Sequence, residues 1–398
     1  MIGRLGRAAL AAACLLAALA GEFPAETATR AASRPASAPA AGGCPRIAML
    51  WSPAEAGRGQ WARIARHDVI VLGIGRIALK WTPNKFPALA ETIDPATVAK
   101  ARENLRRLKR LNPSAVVLCE VYFFEEKVAG YPPDHRWWLR NKRGEKQQFW
   151  PGTHRMDITR DDYIAHVAGR IAAVHKATGG AAGIFLDNLR FDRPSKVGWL
   201  KLLRRVRMAR GWRMPIMVNA GWSSDDLAWI APHVNGIMYE DAVAHAKDGD
   251  TEAFYGRVAA IDRLLVRPRI SVNERFGPRG DAGRMRRELL RTLVYTDMSF
   301  LYSDSTVGHR HGWFAEWDAP LGRAVAPPPR PAAGKLARRE FTGGTVLWLP
   351  ASAKAPARVA LPRPMRDAIA GGMVRSATVA PGSGAILAHP SPATAPSR

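Results

Sequence analysis

The sequence predicts an α/β fold, a (β/α)8 TIM barrel followed by a small antiparallel β appendage, and three observations lead there. Short apolar runs alternate with helix-length amphipathic segments from Cys44 onward, the pattern of repeated βα units. Eight such runs precede residue 322, a span that matches the roughly 250 residues typical of a barrel. Several of them end abruptly in an acid or an amide, as buried parallel strands do when their tips open into a site. A doubly wound open sheet would instead want a glycine-rich phosphate loop after its first strand, and Leu50-Trp51-Ser52-Pro53 is not one.

The chain begins with Arg4 and Arg7 ahead of an apolar run ending in Ala18-Leu19-Ala20, small residues where a signal peptidase cuts. Residues 1–20 are therefore expected to be a signal peptide cleaved near Gly21, making the mature protein secreted or periplasmic. The run is too short to span a bilayer comfortably, so no transmembrane anchor is expected after cleavage. Cys14 follows Ala11-Ala12-Ala13 in the manner of a lipoprotein box, but too little apolar sequence precedes it for lipidation to be expected. Residues 21–43, rich in Ala, Pro, Ser and Thr, bury little and form a disordered tether.

The barrel is expected over residues 44–322. Its strands are read at 46–50, 69–74, 115–121, 182–186, 215–218, 236–239, 269–272 and 298–302, with helices at 95–111, 161–175, 196–208, 225–230, 251–265 and 282–295. Two connections are longer than structure alone needs. Residues 122–157 hold Trp137, Trp138 and Trp150, and residues 303–318 hold His309, His311, Trp313 and Trp317; both are expected at one barrel face, as parts of a site. A Pro-rich linker (323–334) leads to a small β domain (335–390), with strands read around 339–341, 344–349, 358–361 and 385–387, and then a disordered tail, 391–398.

The formal charge is +25; losing residues 1–20 removes two arginines and no acid, leaving +23. Such a surface favours anionic polymers in general, but the cations are spread over helix faces with no nucleic-acid motif, so no nucleic acid is expected as partner. Cys119 lies inside an apolar run and reads as a buried free thiol.

In a barrel, strand tips converge on one site. Here the tips carry Trp51, Glu120, Asp187 with Asn188, Asn219, Glu240 with Asp241, Asn273 with Glu274, and Asp304. Acids and amides suit neutral polyhydroxylated substrates, and glycosidic cleavage needs two carboxylates, one ionised and one holding a proton. Asp187 and Glu240 are the expected catalytic pair, with Trp51, Glu120, Asn188, Asn219, Trp222, Glu274 and Asp304 as substrate-binding residues. The plainer alternatives are strand-end turns for the amides, a capping role for Asp241, and salt bridges to Arg190 or Arg275 for Glu120 and Glu274. His309-Arg310-His311 lacks a ligand context and no nucleophile elbow is present, so no metal and no cofactor is assigned.

These residues also carry a resemblance. Gly183-Ile184-Phe185-Leu186-Asp187-Asn188, Val218-Asn219-Ala220-Gly221, Asn235-Gly236-Ile237-Met238-Tyr239-Glu240 and Met156-Asp157-Ile158-Thr159, with the later stretch 339–347, resemble a family of uncharacterised bacterial glycoside hydrolases, the hypothetical glycosyl hydrolase 15 group. More distantly, the chain is similar to the endo-α-1,4-polygalactosaminidases and the α-galactosidase clan. The resemblance covers roughly residues 46–350 and implies a TIM barrel with an Asp on the fourth strand as nucleophile or base and a Glu on the sixth as acid, roles that fall on Asp187 and Glu240. An Asn-Pro usual after the last β motif is replaced by Trp348-Leu349-Pro350. The function expected is cleavage of O-glycosidic bonds in an extracytoplasmic polysaccharide; the alternative is a non-catalytic barrel that binds polysaccharide or an envelope component.

Overall fold

Val69-Ile70-Val71-Leu72 is buried on both faces, a pattern that requires a sheet filled within and covered by helices without. The computed structural model describes residues 43–51, 59–223, 227–245, 251–306 and 308–390. The expected signal peptide, Cys14, the tether up to residue 42 and the tail lie outside them. No helix among the described residues is long and apolar enough to cross a membrane.

In chain order the first strands are β1 (Ala48–Leu50), β2 (Val69–Gly73) and β3 (Val116–Glu120), and a hairpin of β4 (Glu125–Lys127) and β5 (Thr153–Arg155) follows. The ladder continues through β6 (Gly183–Leu186), β7 (Ile216–Asn219), β8 (Gly236–Glu240), β9 (Val272–Gly277) and β10 (Ser299–Asp304). The eight strands outside the hairpin pair in parallel in sequence order. Ile47 bridges Phe300 in parallel and the Phe300 amide donates to the Arg46 carbonyl at 2.8 Å, which joins the last strand to the first. The result is the TIM barrel that the βα alternation predicts.

Helices α1 (Gln60–Ile64), α2 (Pro95–Leu111), α3 (Asp161–Ala177), α4 (Arg193–Arg210), α5 (Thr251–Asp262) and α6 (Ala282–Tyr295) occupy the connections. Three of their starts follow side-chain capping chemistry. Asp94, Asp192 and Asp281 each accept a hydrogen bond from a first-turn amide, and prolines fill the first turns of α2 and α4 where no donor is needed. Between strands and helices lies one large apolar layer, to which Cys119 belongs; a second cluster fills the barrel interior.

Two expected elements differ. The seventh barrel strand runs over 272–277 and not 269–272, because it continues through polar residues that are each paired: Asn273 donates to Tyr255 and Thr292, and Arg275 faces Asp241 and Glu288. The helix expected at 225–230 is a single turn over the described residues 227–230, closed by bonds to the Leu227 carbonyl, and a short 3-10 helix (Ala231–His233) follows it with Pro232 in its first turn.

Beyond the barrel, β11 (Ala337–Phe341), β12 (Gly344–Leu349), β13 (Ala357–Asp367), β14 (Met373–Val379) and β15 (Ser383–Ala388) form an antiparallel sheet in the order β11-β12-β15-β13-β14. The expected linker is partly joined to it: Ala324 bridges Phe341 and the Val325 amide donates to Glu340. Arg339 fastens the sheet to the end of α6 by donating to the carbonyls of Leu293 and Thr296 and pairing with Asp297.

Candidate active site

The pleat of the barrel strands builds the site. Leu118, Phe185, Met217, Met238, Val272 and Leu301 point into the barrel and form an apolar floor. Side chains alternate, so the residue two positions on in each strand also points inward, one layer higher. Those residues are Glu120, Asp187, Asn219, Glu240, Glu274 and Ser303. One polar layer therefore sits above the floor at the C-terminal end.

Asn219 joins the two expected catalytic acids. Its Nδ2 donates to Asp187 Oδ1 and to Glu240 Oε2, each at 2.8 Å, while its Oδ1 accepts from the Gly221 amide at 2.8 Å. The Gly221 bond fixes which end of the amide faces the acids, since a carbonyl must meet that N–H. Gly221 holds φ 57°, a left-handed conformation that glycine adopts without a Cβ clash and that turns the chain just beyond Asn219. Asp187 Oδ1 also accepts from the Asn188 amide at 2.9 Å, and its Oδ2 from Asn188 Nδ2 at 3.0 Å. The same Nδ2 donates to Glu125 Oε1 at 2.8 Å, tying the hairpin to the site. Trp51, Asn188 and Asp241 all have positive φ within two residues of strand tips, a strained conformation concentrated here.

The acids keep a narrow solvent-facing surface, but protein crowds them. Burial raises Asp187 above its ordinary value, opposed by the hydrogen bonds from Asn219 and Asn188 and by the charges of His309 and Arg190. Burial also pushes Glu240 up to about 7; His309 pulls it down, while Glu274 and Asp187 push further up. Glu120 and Glu125 rise to about 8, each through burial first and the Asp187 charge second. At neutral pH the site therefore contains both ionised and protonated carboxyls.

His309, in the segment after β10, was not among the expected site residues. Its Nδ1 lies 2.8 Å from Glu274 Oε1 and its Nε2 3.9 Å from Glu240 Oε1. Its ring stands edge-on to Trp51, with centroids 4.7 Å apart. Glu125 and Arg190 are further additions, Arg190 lying over the rings of Phe124 and Phe149. Only the length of the two connections pointed to His309 and Glu125, and Arg190 was expected only as a salt-bridge partner for Glu120 or Glu274.

Several expected binding roles change. Glu274 is 0% exposed and accepts from Ser303, so it underlies the pocket and touches no solute; its partner is His309 and not Arg275. Asp304 points the opposite way along the pleat, caps a turn through the Thr306 amide and hydroxyl, and lies 3.5 Å from Arg279. Asn219 spends both amide hydrogens on carboxylates and accepts from the Gly221 amide, so it positions the acids and has no donor left for a hydroxyl. Asn188 likewise gives its amide hydrogens to Asp187 and Glu125. Asp241 accepts from the Phe276 amide and pairs with Arg275 at 2.9 Å, away from the pocket. Trp51 and Glu120 are half-buried at the strand tips beside the acids; Trp222 is 59% exposed and stacks on His245.

Among the described residues, the carboxylate and imidazole grouping compact enough to hold a cation is Glu240, Glu274 and His309, within 4.8 Å of one another. The direct bond between His309 and Glu274 already joins two of its three members, and the grouping reads as an ion-paired chain.

A (β/α)8 barrel with an acid and amide layer at its C-terminal mouth is thus the class this chain belongs to. No family model and no curated protein matches it in sequence. Solved structures match its fold. A noncanonic maltogenic alpha-amylase, AmyB from Thermotoga neapolitana, is similar at 10% identity and TM-score 0.54, over 86% of this chain and 98% of that one. Amy13B of Eubacterium rectale is similar at 10% identity and TM-score 0.53, over 88% and 97%. An alpha-amylase from H. orenii follows at 11% identity and TM-score 0.51, over 88% and 100%. At such identities the likeness is one of fold.

Proposed function

We propose that this protein is an exported glycoside hydrolase that cleaves O-glycosidic bonds of an extracytoplasmic polysaccharide with retention at the anomeric carbon. The observation that carries the reading is the shared amide nitrogen of Asn219. Two bonds of 2.8 Å meet at one atom, so the Asp187 and Glu240 oxygens lie no farther apart than twice that length. Retaining glycosidases hold their carboxyl groups about 5–5.5 Å apart, whereas inverting enzymes leave room for a water between them.

Asp187 attacks the anomeric carbon as Glu240 gives its proton to the leaving oxygen. A glycosyl ester forms on Asp187, and Glu240, now ionised, takes a proton from the water that hydrolyses it. Burial suits Glu240 to the first step by keeping a share of it protonated near neutral pH. Asn219 and Asn188 favour the ionised form of Asp187 by donating to it. Glu120, when protonated, offers an O–H donor to sugar hydroxyls, and Trp51 and Trp222 offer apolar faces to sugar rings. Export rests on residues 1–20; the N-terminus of protein recovered outside the cytoplasm is expected at or near Gly21.

Asp187→Asn and Glu240→Gln test the pair directly. Each is expected to fold and to lose at least about three orders of magnitude of turnover, as removal of a nucleophile or its proton partner does. Parent-like turnover in either variant overturns the assignment.

A further inference from the structure

Glu240 is asked to perform two opposite acts, giving a proton and then taking one, and its surroundings contain a device suited to that. His309 stands between two glutamates from adjacent strands. Glu240 and Glu274 are register partners across β8 and β9, so both reach into the barrel at the same height. Glu274 is enclosed at the bottom, fixed by the Ser303 hydroxyl and by His309 Nδ1, while Glu240 keeps a surface toward the pocket. The imidazole spans them, clamped between the rings of Trp51 and Phe276. We infer that His309, held by Glu274, is a positioning residue that presents a fixed positive charge to the catalytic carboxyl of Glu240.

The charge balance supports this. Burial disfavours a cation at His309, yet the Glu274 charge and hydrogen bond, then Glu240 and Asp187, outweigh burial and raise the imidazole to about 9. A cation is thereby retained near neutral pH. The groups facing Glu240 are His309 from the segment after β10, Glu274 from β9, Asp187 from β6 and the Asn219 amide from β7. Of these, His309 is the one cation, so it counteracts two carboxylates and burial together. Without it Glu240 would hold its proton too tightly to act as a base in the second step, and the glycosyl ester would accumulate.

The inference rests on the proposed role of Glu240, and its test has an arm that does not. Glutamate labelled with 13C at the side-chain carboxyl follows Glu240 by NMR in the mature protein, with Glu240→Gln identifying the signal. The expected midpoint is about 7 in the parent. In His309→Gln it moves up by about one pH unit or more, the effect of removing an adjacent opposite charge. An unchanged midpoint overturns the inference. Glu274→Gln keeps the shape of the pair and is read at the His309 imidazole, whose midpoint is expected to fall from about 9 by about one pH unit or more. No fall overturns the role of Glu274, and this variant serves if His309→Gln fails to fold.

With any substrate the parent cleaves, His309→Gln should lower kcat and KM together, because the second step becomes limiting. A loss confined to kcat/KM, with an unchanged pH profile, would mark a merely structural residue and contradict the inference. A parent that cleaves nothing sinks the glycosidase reading, while the Glu240 midpoint still decides the effect of His309.

Discussion

Asp187 and Glu240 share a single hydrogen-bond donor, the Nδ2 of Asn219, at 2.8 Å from each. One amide thus sets the spacing of two half-buried acids that would otherwise repel each other.

Asn219→Ala removes that donor without touching either acid. Turnover is expected to fall by about 10²-fold or more, in the range seen when one preorganised donor is lost from an active site. Steady-state kinetics beside the parent measures it, with circular dichroism confirming the fold. A loss under about threefold would mean that Asn219 is not organising the pair.

Stereochemistry follows from the short spacing. Proton NMR of the first-formed sugar should show the anomer of the substrate, converting later to the equilibrium mixture. Initial release of the opposite anomer would mean that Asp187 activates water and does not form an ester.

The rate profile follows from the two acids. The first step requires Glu240 protonated and Asp187 ionised. Glu240 is pushed up to about 7, so kcat/KM should decline as pH rises beyond about 7. Burial raises Asp187, so the acid limb should lie above the ordinary carboxylate range. A profile flat to pH 9 would contradict Glu240 as the acid.

Stability should run in a related direction. Glu120 and Glu125 are raised from 4.5 to about 8 in the folded protein, so between those values the native state binds more protons than the unfolded chain. Folding stability contributed by their neutral forms is complete below about 4.5 and is lost as pH rises through about 8, on the order of 1 kcal/mol or more for each carboxyl. His67, pushed down to about 3 by burial, works oppositely and removes stability as pH falls below 6.5. Above about 4.5 the two carboxyls together lose stability faster than the single histidine restores it, so thermal melts should peak near pH 4.5, and Glu120→Gln with Glu125→Gln should flatten the decline above it. An unaltered slope in the double variant would contradict the assignment.

The barrel was legible because eight apolar runs punctuated by amphipathic helices admit few other folds, and 95–111 and 282–295 emerge as helices with the predicted bounds. Asp187, Asn219, Glu240 and Glu120 were legible as polar residues closing those runs, and the pleat brings them into one layer. Glu274 was misread because hydrophobicity stops at Val272 while the ladder continues to Gly277, its polar side chains paired with groups far away in sequence. Counting two residues on from each floor residue would have placed Glu274 and Ser303 inside and Asp304 outside. His309 was legible only as a member of a long connection expected at the site; that segment has no periodicity, and only the folded chain brings the imidazole beside Glu240. Strand β14 was missed because the inward positions of Met373–Val379, half-buried at its start and buried only at Ala377 and Val379, include Arg-flanked and small residues of little hydrophobic contrast.

The most direct measurement is a parallel screen of extracytoplasmic polysaccharides for reducing-end release by the mature protein and by Asp187→Asn. The account predicts that at least one polymer is cut by the parent and left intact by the folded variant. Equal release by both proteins, or binding without release by both, would contradict it.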